Sequence, residues 1–109
     1  MHKFSQFIPS TIKRFYRNAK LRRNHFRWHE IDHIRARFYG ELLQPNEVCF
    51  DIGANFGNRV KIFSKLGAKV IAVEPQSDCI HFLQSIYKTD PMVNVIQAAV
   101  GMQTSMGIL

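Results

Sequence analysis

Val48-Cys49-Phe50-Asp51-Ile52-Gly53-Ala54-Asn55-Phe56-Gly57-Asn58 is the stretch on which the fold turns. Val48 to Ile52 is a short, nearly continuous apolar run, the pattern of a strand buried on both faces, and it runs straight into a turn with two glycines. A helix follows, with Val60, Phe63 and Leu66 along one face and Gly67 as its C-terminal stop. Lys69-Val70-Ile71-Ala72-Val73 is the next strand, closed by Glu74-Pro75. Ser77 reads as the N-cap of another helix, with Asp78 in its first turn and Ile80, Leu83, Ile86 and Tyr87 on its inner side. Val93 to Val100 is a third strand. Strands alternating with helices at these lengths predict right-handed crossovers and a parallel sheet, an α/β fold.

Parallel sheets bind ligands beyond the carboxyl ends of their strands, where the first strand enters its glycine-rich turn. Gly53 lets the backbone turn sharply and come close to a ligand, and Gly57 lets the helix start pack near the strand. The free N–H groups of that helix start favour a carboxylate or phosphate. Glu74, at the tip of the second strand, is placed to accept both hydroxyls of an adenosine ribose. Dinucleotide binders need G-x-G-x-x-G, whose middle glycine admits a pyrophosphate. Here Ala54 and Asn55 fill that space, and Asp51 would repel phosphates while suiting an ammonium group. S-adenosylmethionine carries that ammonium, a carboxylate for the helix start and a ribose for Glu74, so it is the cofactor the pattern favours. Gly53 and Gly57 as ordinary turn glycines, and Gln76 and Ala98 as mere loop and strand residues, are the plainer alternatives.

Residues 48–57 and the following Lys69-Val70-Ile71-Ala72-Val73-Glu74-Pro75-Gln76 together resemble the start of an FkbM-type methyltransferase, a branch of the class I S-adenosylmethionine-dependent enzymes. The resemblance spans residues from about 44 to 109. It implies a Rossmann-like parallel sheet, of which the first three strands are present, preceded by N-terminal helices. It also implies O-methylation of a small-molecule or glycan hydroxyl. By that resemblance Asp51, Gly53, Ala54, Asn55 and Gly57 contact the methionine end, Glu74 holds the ribose, Gln76 lies near the adenine and Ala98 borders it. Arg59 departs from the small or aromatic polar residues usual there. A cation in a helix's first turn opposes the dipole unless an anion is near, so Arg59 either pairs with the methionine carboxylate or stays exposed and inert.

The family's sheet has seven strands, with strand four covering the far edge of strand one. The groups that hold the acceptor usually follow strand four, so no catalytic residue is named from this sequence. Gly101 to Leu109 reads as a chain on its way to a next strand. The expectation is an incomplete domain, a fragment inactive alone, whose uncovered strand edge invites self-association.

The 109 residues carry a net charge of +7, but unevenly. Residues 1–40 hold ten Lys or Arg against Glu30 and Asp32, whereas residues 41–109 hold five against six acids. The chain therefore divides into a basic helical arm, 1–43, and the partial cofactor-binding domain, 44–109. In the arm, bases interleave with aromatics, as in Arg14-Phe15-Tyr16-Arg17 and Arg22-Arg23-Asn24-His25-Phe26-Arg27-Trp28. Such a stretch suits RNA or anionic lipid, and a non-catalytic basic module is the alternative function; nucleic acid is not required by anything else in the chain. The plainer reading is an amphipathic helix packed through Ile12, Phe15, Tyr16 and Ala19. A second helix is expected over roughly 29–43, ending before Pro45.

His29-Glu30-Ile31-Asp32-His33 matches H-E-x-x-H, with His25 a further turn away. Asp32 places a charge where metalloproteases avoid one, and a solvated helix with Glu30 and Asp32 near Arg35 and Arg37 explains the segment as well. No metal is expected. At 46% hydrophobic and 21% charged the chain is globular in composition. It has no apolar run long enough for a membrane span and no secretory h-region. Cys49 and Cys79 do not form a disulfide scaffold, which points to a reducing cytoplasm.

Overall fold

The computed structural model describes residues 9–101 and 106–108; the sequence readings that fall on residues 1–8, 102–105 and 109 lie outside them. Helices α1 (Ser10–Phe26) and α2 (Glu30–Gly40) lead into β1 (Val48–Ile52), α3 (Asn58–Lys65), β2 (Lys69–Glu74), α4 (Ser77–Ile86), β3 (Val93–Val100) and β4 (Met106–Ile108). The sheet order is β1-β2-β3-β4. The first three strands are parallel, with Val48 opposite Lys69 and Val70 opposite Val93. The expected mixed α/β fold with a parallel sheet is what the chain adopts. The short β4 was not foreseen; it runs antiparallel along β3, with Ala98 opposite Ile108.

Two right-handed crossovers advancing in one direction put both connecting helices on one face of the sheet. The core bears this out. Val60 and Phe63 of α3, Leu83 and Ile86 of α4, and Val70 and Ala72 of β2 form one buried cluster. On the opposite face the β1 end stays open, although Val73 of β2 there is buried. Val48, Phe50 and Ile52 are 56%, 62% and 55% exposed, while Asp51 on the covered side is buried. The apolar run of β1 is thus a half-covered edge strand, not one buried on both faces.

Punctuation falls close to where the sequence puts it. Gly67 closes α3 in the left-handed region at φ +84°. The second helix is shorter than expected, ending at Gly40 with a turn before Pro45. The N-cap of α4 is Gln76, with Ser77 already inside the helix. Ser77 Oγ instead accepts the Gln97 side-chain amide at 2.9 Å.

The N-terminal helices pack differently from the expectation. Ile12, Tyr16 and Ala19 are exposed, and the side chain of Phe15 lies outside what the structure describes. Contact comes from the C-terminal part of α1. Arg22 donates to Ile86 O at 2.9 Å, and buried His25 shares a 2.7 Å hydrogen bond with the Tyr87 hydroxyl. Asp32 is not solvated either: it is buried and paired with Lys61 of α3 at 2.8 Å. The Lys61 ammonium also donates to Arg27 O and sits over the Trp28 ring. Burial alone would raise the Asp32 pKa, but the His29 N–H bond and the Lys61 charge outweigh it and hold the carboxyl below its ordinary range. No described helix is long and apolar enough to cross a membrane.

Candidate functional site

The turn after β1 folds back onto β2. Gly53 and Ala54 both donate their N–H to Val73 O, at 2.8 and 3.0 Å. That curl needs left-handed backbone at Gly53 (φ +74°), Asn55 (φ +56°) and Gly57 (φ +82°). At Gly53 the space around a Cβ is open, so conformation alone asks for glycine. At Gly57 a Cβ would lie 2.6 Å from Leu83 Cδ2 and 3.2 Å from His25 Cε1. Gly57 therefore admits α4 and α1, rather than letting the helix start approach the strand as expected.

Glu74 ties this turn to the next loop. Its Oε1 accepts the Asn55 N–H at 2.9 Å and its Oε2 accepts the Gln76 N–H at 2.8 Å. The side chain is buried. A carboxylate retains further lone pairs after two such bonds, so acceptance of ribose hydroxyls stays chemically open to it. Asn55 is held from its other end, because the Cys79 thiol donates to Asn55 Oδ1 at 3.3 Å. Burial, with help from Glu74 and Asp78, raises the Cys79 pKa and keeps it a protonated donor. Cys79 is a supporting residue that sequence reasoning passed over.

Two cavities open at the carboxyl ends of the strands and share Gly53. The first, about 150 Å³, is polar and lined by Asp51, Ala54, Asn55, Asn58, Arg59 and Arg35 in addition to Gly53. The second, about 230 Å³, is apolar and lined by Ile52, Val73, Pro75, Ala98, Ala99 and Val100 as well. Asp51, Gly53, Ala54 and Asn55 thus meet in one cavity, and Ala98 lies in the other. Gly57, Glu74 and Gln76 belong to the adjoining turns and line neither cavity. Gln76 is exposed, and its side-chain oxygen lies 3.6 Å from Cys79 Sγ. Larger grooves between α1 and α4, about 310 and 340 Å³, bring Asn18 and Ser85 together but gather no carboxylate.

Asp51 is 6% exposed, lines the polar cavity and has no hydrogen-bond or ion-pair partner among the described residues. Burial pushes its carboxyl above the ordinary range, Arg59 opposes that rise and Glu74 adds to it. Arg35, read from the sequence only as a partner for helix charges, reaches this cavity from α2. The only signal that could have found it is tertiary, because nothing in the local spacing relates α2 to the turn.

The three histidines of the H-E-x-x-H region go to separate places. His25 bonds to Tyr87, His29 caps α2 and His33 lies tilted against the Trp28 ring. Among the described residues no group of three His, Cys, Asp or Glu converges to hold a metal ion. Compared with known proteins, the chain matches no protein-family model, and no curated protein or solved structure matches it significantly. The resemblance drawn above therefore rests on residues 48–57 and 69–76 alone.

Proposed function

We propose that this chain binds S-adenosylmethionine as the cofactor part of an O-methyltransferase acting on a small-molecule or glycan hydroxyl. The observation that carries the reading is the pair of cavities joined at Gly53, one polar and one apolar, at the carboxyl ends of a parallel sheet. The polar one has the Asp51 carboxylate in its lining for an ammonium, with Arg35 and Arg59 in the same lining for a carboxylate. The apolar one, with Ala98 and Pro75, has the character of a slot for a purine. Glu74 closes β2 next to Pro75, which lines the apolar cavity. When bound, the cofactor supplies an electrophilic methyl on a sulfonium. The chain's part is to hold it, with Asp51 on the ammonium, the N-terminus of α3 on the carboxylate and Glu74 on the ribose.

The test is an amide NMR titration of the chain with S-adenosylhomocysteine. Saturable shifts at Gly53 to Asn55 and at Ala98 and Ala99 are expected. A dispersed spectrum that ignores the ligand at millimolar concentration overturns the reading. A Glu74→Ala control is unsuitable, since it would also release the Asn55 and Gln76 amides.

A second reading has its own observation. All six Lys and Arg of α1 are exposed, with no acid among them, together with Tyr16. That surface supports a basic module for RNA or anionic lipid, and its binding would fall steeply as salt rises.

A further inference from the structure

We infer that Arg35 of α2 and Arg59 of α3 form a two-guanidinium clamp for the carboxylate of an amino-acid ligand whose ammonium sits on Asp51, so that the N-terminal helices complete the site. The inference rests on the proposed cofactor reading and adds to it the residue that selects for the ligand's carboxylate.

The lining of one cavity and the absence of competing bonds support it. Arg35 and Arg59 come from different helices yet line one cavity of about 150 Å³. Neither guanidinium has a hydrogen bond or an ion pair within 4 Å among the described residues, and only the Arg59 charge acts on a nearby acid, Asp51, so both keep their donors for an anion. The same cavity holds Asp51, a carboxylate 6% exposed and without a hydrogen bond among the described residues. Two cations alone would suit a phosphate; a buried carboxylate among them repels a dianion. Two positive groups and one negative group in so small a space match a zwitterion, the free α-amino acid end of a ligand.

Arg35 is held in place by its own helix. Three residues earlier Asp32 is locked to Lys61 at 2.8 Å and accepts the His29 N–H at 2.8 Å. This buried pair fixes α2 against α3, the helix that carries Arg59. It gives the Asp32–Lys61 pair a task beyond stability, namely setting the spacing of the two arginines.

The experiment compares S-adenosylhomocysteine with 5′-methylthioadenosine, which lacks the amino-acid end, by calorimetric titration of the wild-type chain and of Arg35→Met and Arg35→Lys. The wild type is expected to prefer S-adenosylhomocysteine. Arg35→Met should lose roughly tenfold or more in affinity for it, the scale of one charge-assisted hydrogen bond, and keep its affinity for 5′-methylthioadenosine. Arg35→Lys should recover part of the loss, because it restores the charge without the planar fork. If Arg35→Met binds S-adenosylhomocysteine as well as the wild type, the clamp is wrong and the cofactor reading stands. If it loses both ligands equally, Arg35 acts through packing and the clamp is equally wrong. A wild type that binds neither ligand overturns the cofactor reading and the clamp together.

Discussion

A carboxylate withdrawn from most of its water and holding no hydrogen bond is destabilised in its ionised form, and Asp51 is in that position, with the Arg59 charge offsetting part of the cost. Its folded pKa lies above the unfolded one, so the cost of ionising it is fully present at neutral pH and vanishes once both states are protonated. Asp51→Asn is therefore expected to raise the melting temperature of the ligand-free chain at pH 7, on the order of a few degrees, and to leave it unchanged near pH 3. The same variant should bind S-adenosylhomocysteine more weakly. A lower melting temperature at pH 7 would show that the carboxylate is structurally satisfied. At this scale the turn was legible because its demands are local: Gly53, Asn55 and Gly57 alternate within one five-residue curl of backbone. Asp32 and Arg35 were not legible. A charge on a helix is solvated by default, and it takes the His29 N–H together with Lys61, 29 residues away, to make the burial of Asp32 tolerable.

Among the elements, α1 is joined to the α/β unit chiefly through its C-terminal part. His25 stands there in a box of aromatic rings, edge-on to Phe26, Phe82 and Tyr87, with its Nε2 on the Tyr87 hydroxyl. Burial first, then Lys61, lowers its pKa to about 4, while burial and Asp90 push the Tyr87 hydroxyl up beyond its ordinary range. For a histidine with a depressed folded pKa the unfolded chain binds the extra proton. Stability is then whole above the unfolded value of 6.5 and is lost as pH falls from there to about 4. The loss is on the order of 3 kcal/mol across that window. Urea midpoints at pH 7.5 and 5.0 should show the drop, and His25→Leu should flatten it. An equally steep drop in His25→Leu would assign the pH dependence elsewhere. The helical period of α1 was legible, but the face it buries was not. Ile12 and Tyr16 recur at the right spacing, yet what decides contact is where α1 crosses α4, and that is set by Gly57 making room for His25.

At the scale of the molecule, strand order determines what the sheet leaves uncovered. The sequence announces three strands and two crossovers, and handedness then puts α3 and α4 on the same face, which the apolar run of β1 by itself does not reveal. Val48, Phe50 and Ile52 are left on the bare side, joined across the sheet by the partly exposed Ile96. β1 is also a free edge among the described strands, since only β2 pairs with it. Edge strands usually carry a lysine, a proline or a bulge that discourages pairing. Val48-Cys49-Phe50-Asp51-Ile52 has none of these, and its single charge points to the covered side. An apolar face and an undefended edge together predict that the isolated chain self-associates. Sedimentation velocity over a hundredfold range of concentration should show the weight-average mass rising, and Phe50→Lys should return it to the monomer value of 12.7 kDa. The residue is 62% exposed, so the substitution removes a surface contact without opening a cavity in the core. A wild type that stays monomeric throughout, or a Phe50→Lys variant that associates as before, would mean that the bare face of the sheet is not what copies of this chain recognise.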